Sequence, residues 1–98
     1  MAENKKKILV VEDDKDTNAA ICTMLEQLGY EHVSFGSAKE ALVGVKGSGV
    51  ALALLDIMMP EMNGYELMKA LKGIPEFKDI PVVMVTAKDQ DSEILEGY

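Results

Sequence analysis

Apolar positions along this chain follow two rhythms that alternate. Short unbroken runs rich in β-branched residues occupy positions 8–11, 50–55 and 82–85. Each gives way to polar residues and then to a stretch whose apolar positions lie three or four apart. Unbroken runs suit strands buried on both faces, and the longer spacing suits helices with one buried face. A weaker run, Glu31–Phe35, sets polar His32 and Ser34 against Val33 and Phe35 and predicts an edge strand.

The first helix is predicted from the Asp14 to Asp16 region to Leu28. Its apolar stripe is Ile21, Met24, Leu25 and Leu28, and Gly29 supplies the left-handed position beyond its end. A second helix opens at Ser37, with Glu40 at capping-box spacing, carries Ala38, Ala41, Leu42 and Val45, and ends at Gly47. A third begins near Asn63-Gly64, carries Leu67, Ala70 and Leu71, and stops around Gly73; a fourth opens near Ser92. Strands alternating with helices demand a parallel sheet, because each helix returns the chain to the same strand direction. The expected architecture is a doubly wound α/β sandwich forming one domain over residues 1–98.

Composition narrows the function. Acidic residues outnumber lysines for a net charge of −7, and arginine is absent. That argues against direct nucleic-acid binding, which needs a basic face to displace counterions from phosphates. The one basic run, Lys5-Lys6-Lys7, reads as a solvated lead into the first strand. A single cysteine, Cys22, excludes an internal disulfide, and with the lone His32 it excludes a His/Cys zinc cluster. The apolar runs are too short to span a membrane, so a soluble, cytoplasmic domain with no membrane partner is expected.

Ligands of such sheets bind beyond the carboxyl ends of the strands, where the winding reverses. This chain ends its first strand in Glu12-Asp13-Asp14, its third in Asp56 and its fourth in Thr86. Acids gathered on one rim repel unless one protonates or a cation joins them. A hard divalent ion such as Mg2+ is the natural occupant, and a carboxylate beside it is a plausible nucleophile toward phosphorus. Plainer roles stand beside these: Asp13, Asp14 or Asp16 as a helix cap, Asp56 as a turn residue, Thr86 as a strand residue, and Met58 and Met59 as packing or surface residues. Motifs for a dinucleotide fold, a P-loop and a nucleophile elbow are absent.

At these residues the sequence resembles the receiver domains of two-component response regulators, of the chemotaxis-regulator type. The resemblance is carried by Ile8-Leu9-Val10-Val11-Glu12-Asp13-Asp14, by the run from Leu54-Leu55-Asp56-Ile57-Met58-Met59-Pro60 through Asn63-Gly64, and by Pro81-Val82-Val83-Met84-Val85-Thr86-Ala87. It implies a flavodoxin-like fold with strand order 2-1-3-4-5 and a phosphoryl group accepted by Asp56 from a histidine kinase or phosphotransfer protein. It implies Mg2+ held by Asp13, Asp56 and the Met58 backbone carbonyl, with Glu12 acting through water, and Thr86 hydrogen-bonding the phosphoryl oxygen. It also implies a self-phosphorylating switch rather than a turnover enzyme. Met58 and Lys88 match positions that tune phosphoryl lifetime in the family, though Lys88 reads more simply as solvent-facing.

Four of the usual five βα units are recognisable, and the family's fifth-strand lysine and aromatic switch residue have no counterpart. A C-terminally incomplete receiver is therefore expected, with Val82–Val85 as an apolar edge that invites self-association. Two rival readings are a non-catalytic receiver-like interaction module and an aspartyl-nucleophile phosphatase. The phosphatase would place a second aspartate where Met58 stands.

Overall fold

The computed structural model of the protein describes residues 6–85. Within them the chain runs β1 (Lys7–Val11), α1 (Lys15–Gln27), β2 (Glu31–Phe35), α2 (Ala38–Gly44), β3 (Leu52–Asp56), α3 (Gly64–Lys72), a 3₁₀ turn (Pro75–Phe77) and β4 (Val82–Val85). The strands form one parallel sheet in the order β2-β1-β3-β4. The doubly wound α/β class is thus observed, in the order that the resemblance implied for these strands. The predicted fourth helix lies outside the described residues.

Alternation of side chains along the central strands divides the core in two. Leu9, Val11, Ala53 and Leu55 face a large cluster with Ala38, Ala41 and Val45 around α2 and Leu67 and Leu71 of α3. Ile8 and Val10 face the other way, onto Cys22 and Leu25 of α1. Leu52 and Leu54 on that second face are only partly buried. Among the described residues the sheet is therefore sealed more completely on its α2–α3 side. The mixed strand β2 sits at the edge, as its interspersed polar residues predicted. In β4, Val82 and Met84 are buried while Val83 and Val85 are partly covered, so this strand alternates instead of being buried on both faces.

Helix ends follow local chemistry. Asp14 caps α1 by accepting from the Thr17 N–H, and Ser37 caps α2 by accepting from the Glu40 N–H. Asn63 and Glu66 make a reciprocal capping box at α3. Gly29 takes a φ of +90, the left-handed turn expected after α1.

Three details correct the sequence reading. Met24 and Leu28 are 58% and 70% exposed, because the buried face of α1 centres on Cys22 and Leu25. The second helix ends at Gly44, before the Gly47 predicted, since Val45 already leaves the helix as its C-cap. Phe77, fully buried in the 3₁₀ turn, joins the core without having been anticipated. Among the described residues no helix is long and apolar enough to cross a membrane.

Candidate functional site

The parallel sheet carries Glu12 and Asp56 to the same rim. Glu12 follows β1, its N–H bonded to the Phe35 carbonyl at 3.1 Å, and Asp56 is the last residue of β3. Carboxylate oxygens of Glu12, Asp13 and Asp56 all lie within 4.8 Å of one another. Three acids predicted for one site from remote parts of the chain are therefore gathered in one place. Met58 stands beside them, donating its N–H to Asp56 Oδ1 at 3.2 Å, with its side chain mostly exposed. Thr86 lies outside the described residues. Val85, which precedes it, pairs with Asp56 across β3 and β4.

Burial makes this arrangement costly. Glu12 is 2% exposed and Asp56 1% exposed, yet Glu12 Oε1 and Asp56 Oδ2 have no hydrogen-bond partner. Unpaired buried carboxylate oxygens are among the most expensive polar groups a protein can hold. Asp56 responds by holding its proton: its pKa is pushed from 3.8 up to about 7. Burial is the main cause, then the neighbouring Glu12 carboxyl, with a smaller contribution from Asp13; the Met58 N–H pulls the other way. A hard cation with oxygen ligands relieves all of these at once, so the residues present fit Mg2+. Asp13, exposed and free of the capping role that Asp14 fills, completes the set. The end of β1 also borders an open groove of about 640 Å³ between α1 and β2, with Lys15, Asn18 and Ser34 on its walls.

Two supporting residues escaped the sequence reading. Asn18 donates its side-chain amide to the carbonyls of Glu12 and Phe35, both at 3.1 Å. The available signal was a polar residue four positions before Cys22, in line with the buried face of α1. The sequence marks Gly64 as a helix start and does not show its second role. A Cβ there would lie 2.6 Å from the Asp56 carbonyl oxygen, so glycine is what lets α3 begin against the end of β3.

Comparison with known proteins places the chain as a whole among relatives of one family. Residues 8–98 match the family model described as the response regulator receiver domain. The chain is 36% identical over 97 residues to the probable transcriptional regulator ycf27 of Cyanophora paradoxa, covering 99% of this chain and 39% of that protein. It is similar to the N-terminal domain of a response regulator receiver protein from Methanoculleus marisnigri JR1, with a TM-score of 0.77, 37% identity, and 89% of this chain and 75% of that one covered. A structure of response regulator protein TrrA from Thermotoga maritima in complex with Mg2+-BeF gives a TM-score of 0.77 at 29% identity, covering 87% and 72%. The chain spans about two fifths of the length of the curated relatives it matches.

Proposed function

Because this chain belongs to the response regulator receiver domain family, we propose that it is a cytoplasmic phosphoacceptor, phosphorylated on Asp56 by a sensor histidine kinase or a phosphotransfer protein. The observation that carries the reading is the convergence of Glu12, Asp13 and Asp56 with two buried carboxylate oxygens left without partners. Asp13, Asp56 and the Met58 backbone carbonyl would hold Mg2+, with Glu12 acting through water. When bound, the ion supplies positive charge that neutralises the acids and the incoming phosphoryl oxygens.

The chain's own residues supply the rest. Asp56 is the nucleophile: a carboxylate oxygen forms a bond to phosphorus as the bond from phosphorus to the donor's imidazole nitrogen breaks, and the nitrogen leaves with that electron pair. The Met58 N–H, already bonded to Asp56 Oδ1, fixes the rotation of the carboxylate. The backbone bond from Ile57 N–H to the Val85 carbonyl, at 3.1 Å, ties the end of β3 to the end of β4. Thr86, next after Val85, would donate its hydroxyl to a phosphoryl oxygen and carry the change toward the surface beyond β4. The product is a modified protein that reports by conformation, so a single phosphoryl transfer per chain is expected rather than turnover.

Incubation with Mg2+ and a small acyl phosphate tests this. Intact-mass measurement should show the gain of one phosphoryl group, absent when a chelator is present during the incubation and absent in Asp56→Asn. A wild-type protein that stays unmodified, or an Asp56→Asn variant that gains the same mass, would overturn the reading.

A further inference from the structure

Glu12 is held on three sides and open on one. Its N–H donates to the Phe35 carbonyl, its Oε2 accepts from the Asp14 N–H, and its own carbonyl accepts from Asn18 Nδ2, each at 3.1 Å. Its remaining side-chain oxygen, Oε1, is the buried atom without a partner. The Asn18 amide does more than hold one carbonyl, because Nδ2 also donates to the carbonyl of Phe35, the last residue of β2, at 3.1 Å. A single side chain thus joins the ends of β1 and β2 to α1. Its orientation follows from chemistry: both partners of Nδ2 are carbonyls, which only accept, while Oδ1 faces the Cys22 thiol, a donor, at 3.5 Å.

The Glu12 carbonyl belongs to the planar peptide unit that connects Glu12 to Asp13. Rotation of that plane would swing two carboxylates of the site at once. Other contacts already serve stability here: the ladder between β1 and β2, the Asp14 cap, and the burial of Cys22 and Leu25. The contact made to the carbonyl of this one peptide is the Asn18 amide.

We propose that Asn18 is a positioning residue for the divalent-cation site, its forked amide fixing the Glu12–Asp13 peptide so that both carboxylates stay within reach of Asp56. The inference rests on the cation reading given above. Outer partners that orient ligands in this way commonly control affinity more than folding.

Mg2+ titration followed by calorimetry at neutral pH, with thermal melting in parallel, tests it. In Asn18→Ala, water reaches the freed carbonyls at this half-exposed position and alanine favours the helix, so the melting temperature should stay close to wild type. Mg2+ affinity should nevertheless fall on the order of tenfold, and Asn18→Gln, which keeps the donor on a longer arm, should recover part of it. Wild-type affinity in Asn18→Ala would overturn the proposal while leaving the cation site intact. Absence of Mg2+ binding by the wild-type protein would instead overturn the cation reading and this inference with it. Should Asn18→Ala melt early, Val45→Ala, in the core remote from the site, is the reference. Equal affinity loss in both variants overturns the proposal, and loss confined to Asn18→Ala supports it.

Discussion

The two rims of the sheet treat charge in opposite ways. At the rim where the strands begin, the Glu76 carboxylate accepts from the N–H groups of Gly47 and Gly49 at 2.9 and 3.4 Å. Lys7 Nζ donates to the Ser48 carbonyl at 2.9 Å and Lys72 Nζ to the Ile80 carbonyl at 2.6 Å. Among the described residues the unpartnered buried side-chain atom there is neutral, the Ser48 hydroxyl. At the rim where the strands end, two buried carboxylates carry unpartnered oxygens. Backbone strain divides the same way: positive φ falls on Gly29, Gly47 and Gly49 at the first rim and on Glu61 at the second. Unpartnered carboxyl oxygens and a non-glycine residue at positive φ fall at the acidic rim, and the charged side chains at the opposite rim close onto backbone groups.

The sharpest way to break this contrast is to remove the buried charge. Asp56 binds its proton more tightly in the folded chain than in the unfolded one, since its pKa rises from 3.8 to about 7. Between those values the native state holds more protons, so metal-free stability should fall as pH rises from about 4 to about 7 and level off above. Asp56→Asn should flatten that slope and stabilise the metal-free protein at neutral pH by roughly 2–4 kcal/mol. Urea melts across the pH range, without Mg2+, would measure both; a wild-type curve with no slope in this window refutes the account of the rim. Saturating Mg2+ should close much of the gap by stabilising wild type more than the variant.

Next in size is a change that alters spacing and leaves charge alone. Gly64→Ala places a methyl 2.6 Å from the Asp56 carbonyl oxygen and 3.0 Å from Met84 Sδ. The sulfur can move, but the backbone oxygen at the end of a buried strand cannot move cheaply. A loss of about 2–3 kcal/mol is expected, accompanied by weaker Mg2+ binding as Asp56 shifts. Unchanged melting would show that α3 has more freedom than its capping box suggests.

What could be read in advance, and what could not, follows the same division. Strand runs and helix spacing are properties of neighbours in sequence, so the four strands and the starts of the three helices among the described residues were legible. The acids were legible as well, because a parallel sheet must bring the ends of its strands to one rim. Asn18 was hidden because its partners, Glu12 and Phe35, are 6 and 17 residues away and are backbone carbonyls, which no side-chain pattern announces. Met24 and Leu28 misled because spacing gives the period of a helix without its rotation against the sheet. Phe77 was missed because a 3₁₀ turn of three residues is too short to show a period.

The structural rim offers a smaller test. Glu76 is exposed, yet its carboxylate closes the loop before β3 onto the turn after α3. Glu76→Ala should cost about 1–2 kcal/mol through two lost charge-assisted hydrogen bonds. Because Glu76 lies at the opposite end of the strands, Mg2+ affinity should stay within about twofold of wild type, a shift of no more than ~0.4 kcal/mol. A large affinity loss would mean that the two rims are coupled and that their division is not one of function.

Backbone strain gives the finest comparison, because the same variable can be changed at both ends. Gly47 has φ +76 with open space where a Cβ would sit, so Gly47→Ala meets no clash and reports the left-handed penalty alone, about 1 kcal/mol. Glu61, at φ 71, is the centre of a γ-turn closed by the Met62 N–H on the Pro60 carbonyl at 2.7 Å. Glu61→Gly relieves that penalty but adds freedom to the unfolded chain, leaving a gain of roughly 0.5 kcal/mol. Opposite signs in paired thermal melts would show that strain is carried at the acidic rim and avoided at the other. A loss of stability in Glu61→Gly would mean that the glutamate side chain contributes more than its backbone conformation costs, and the strain half of the contrast would fall.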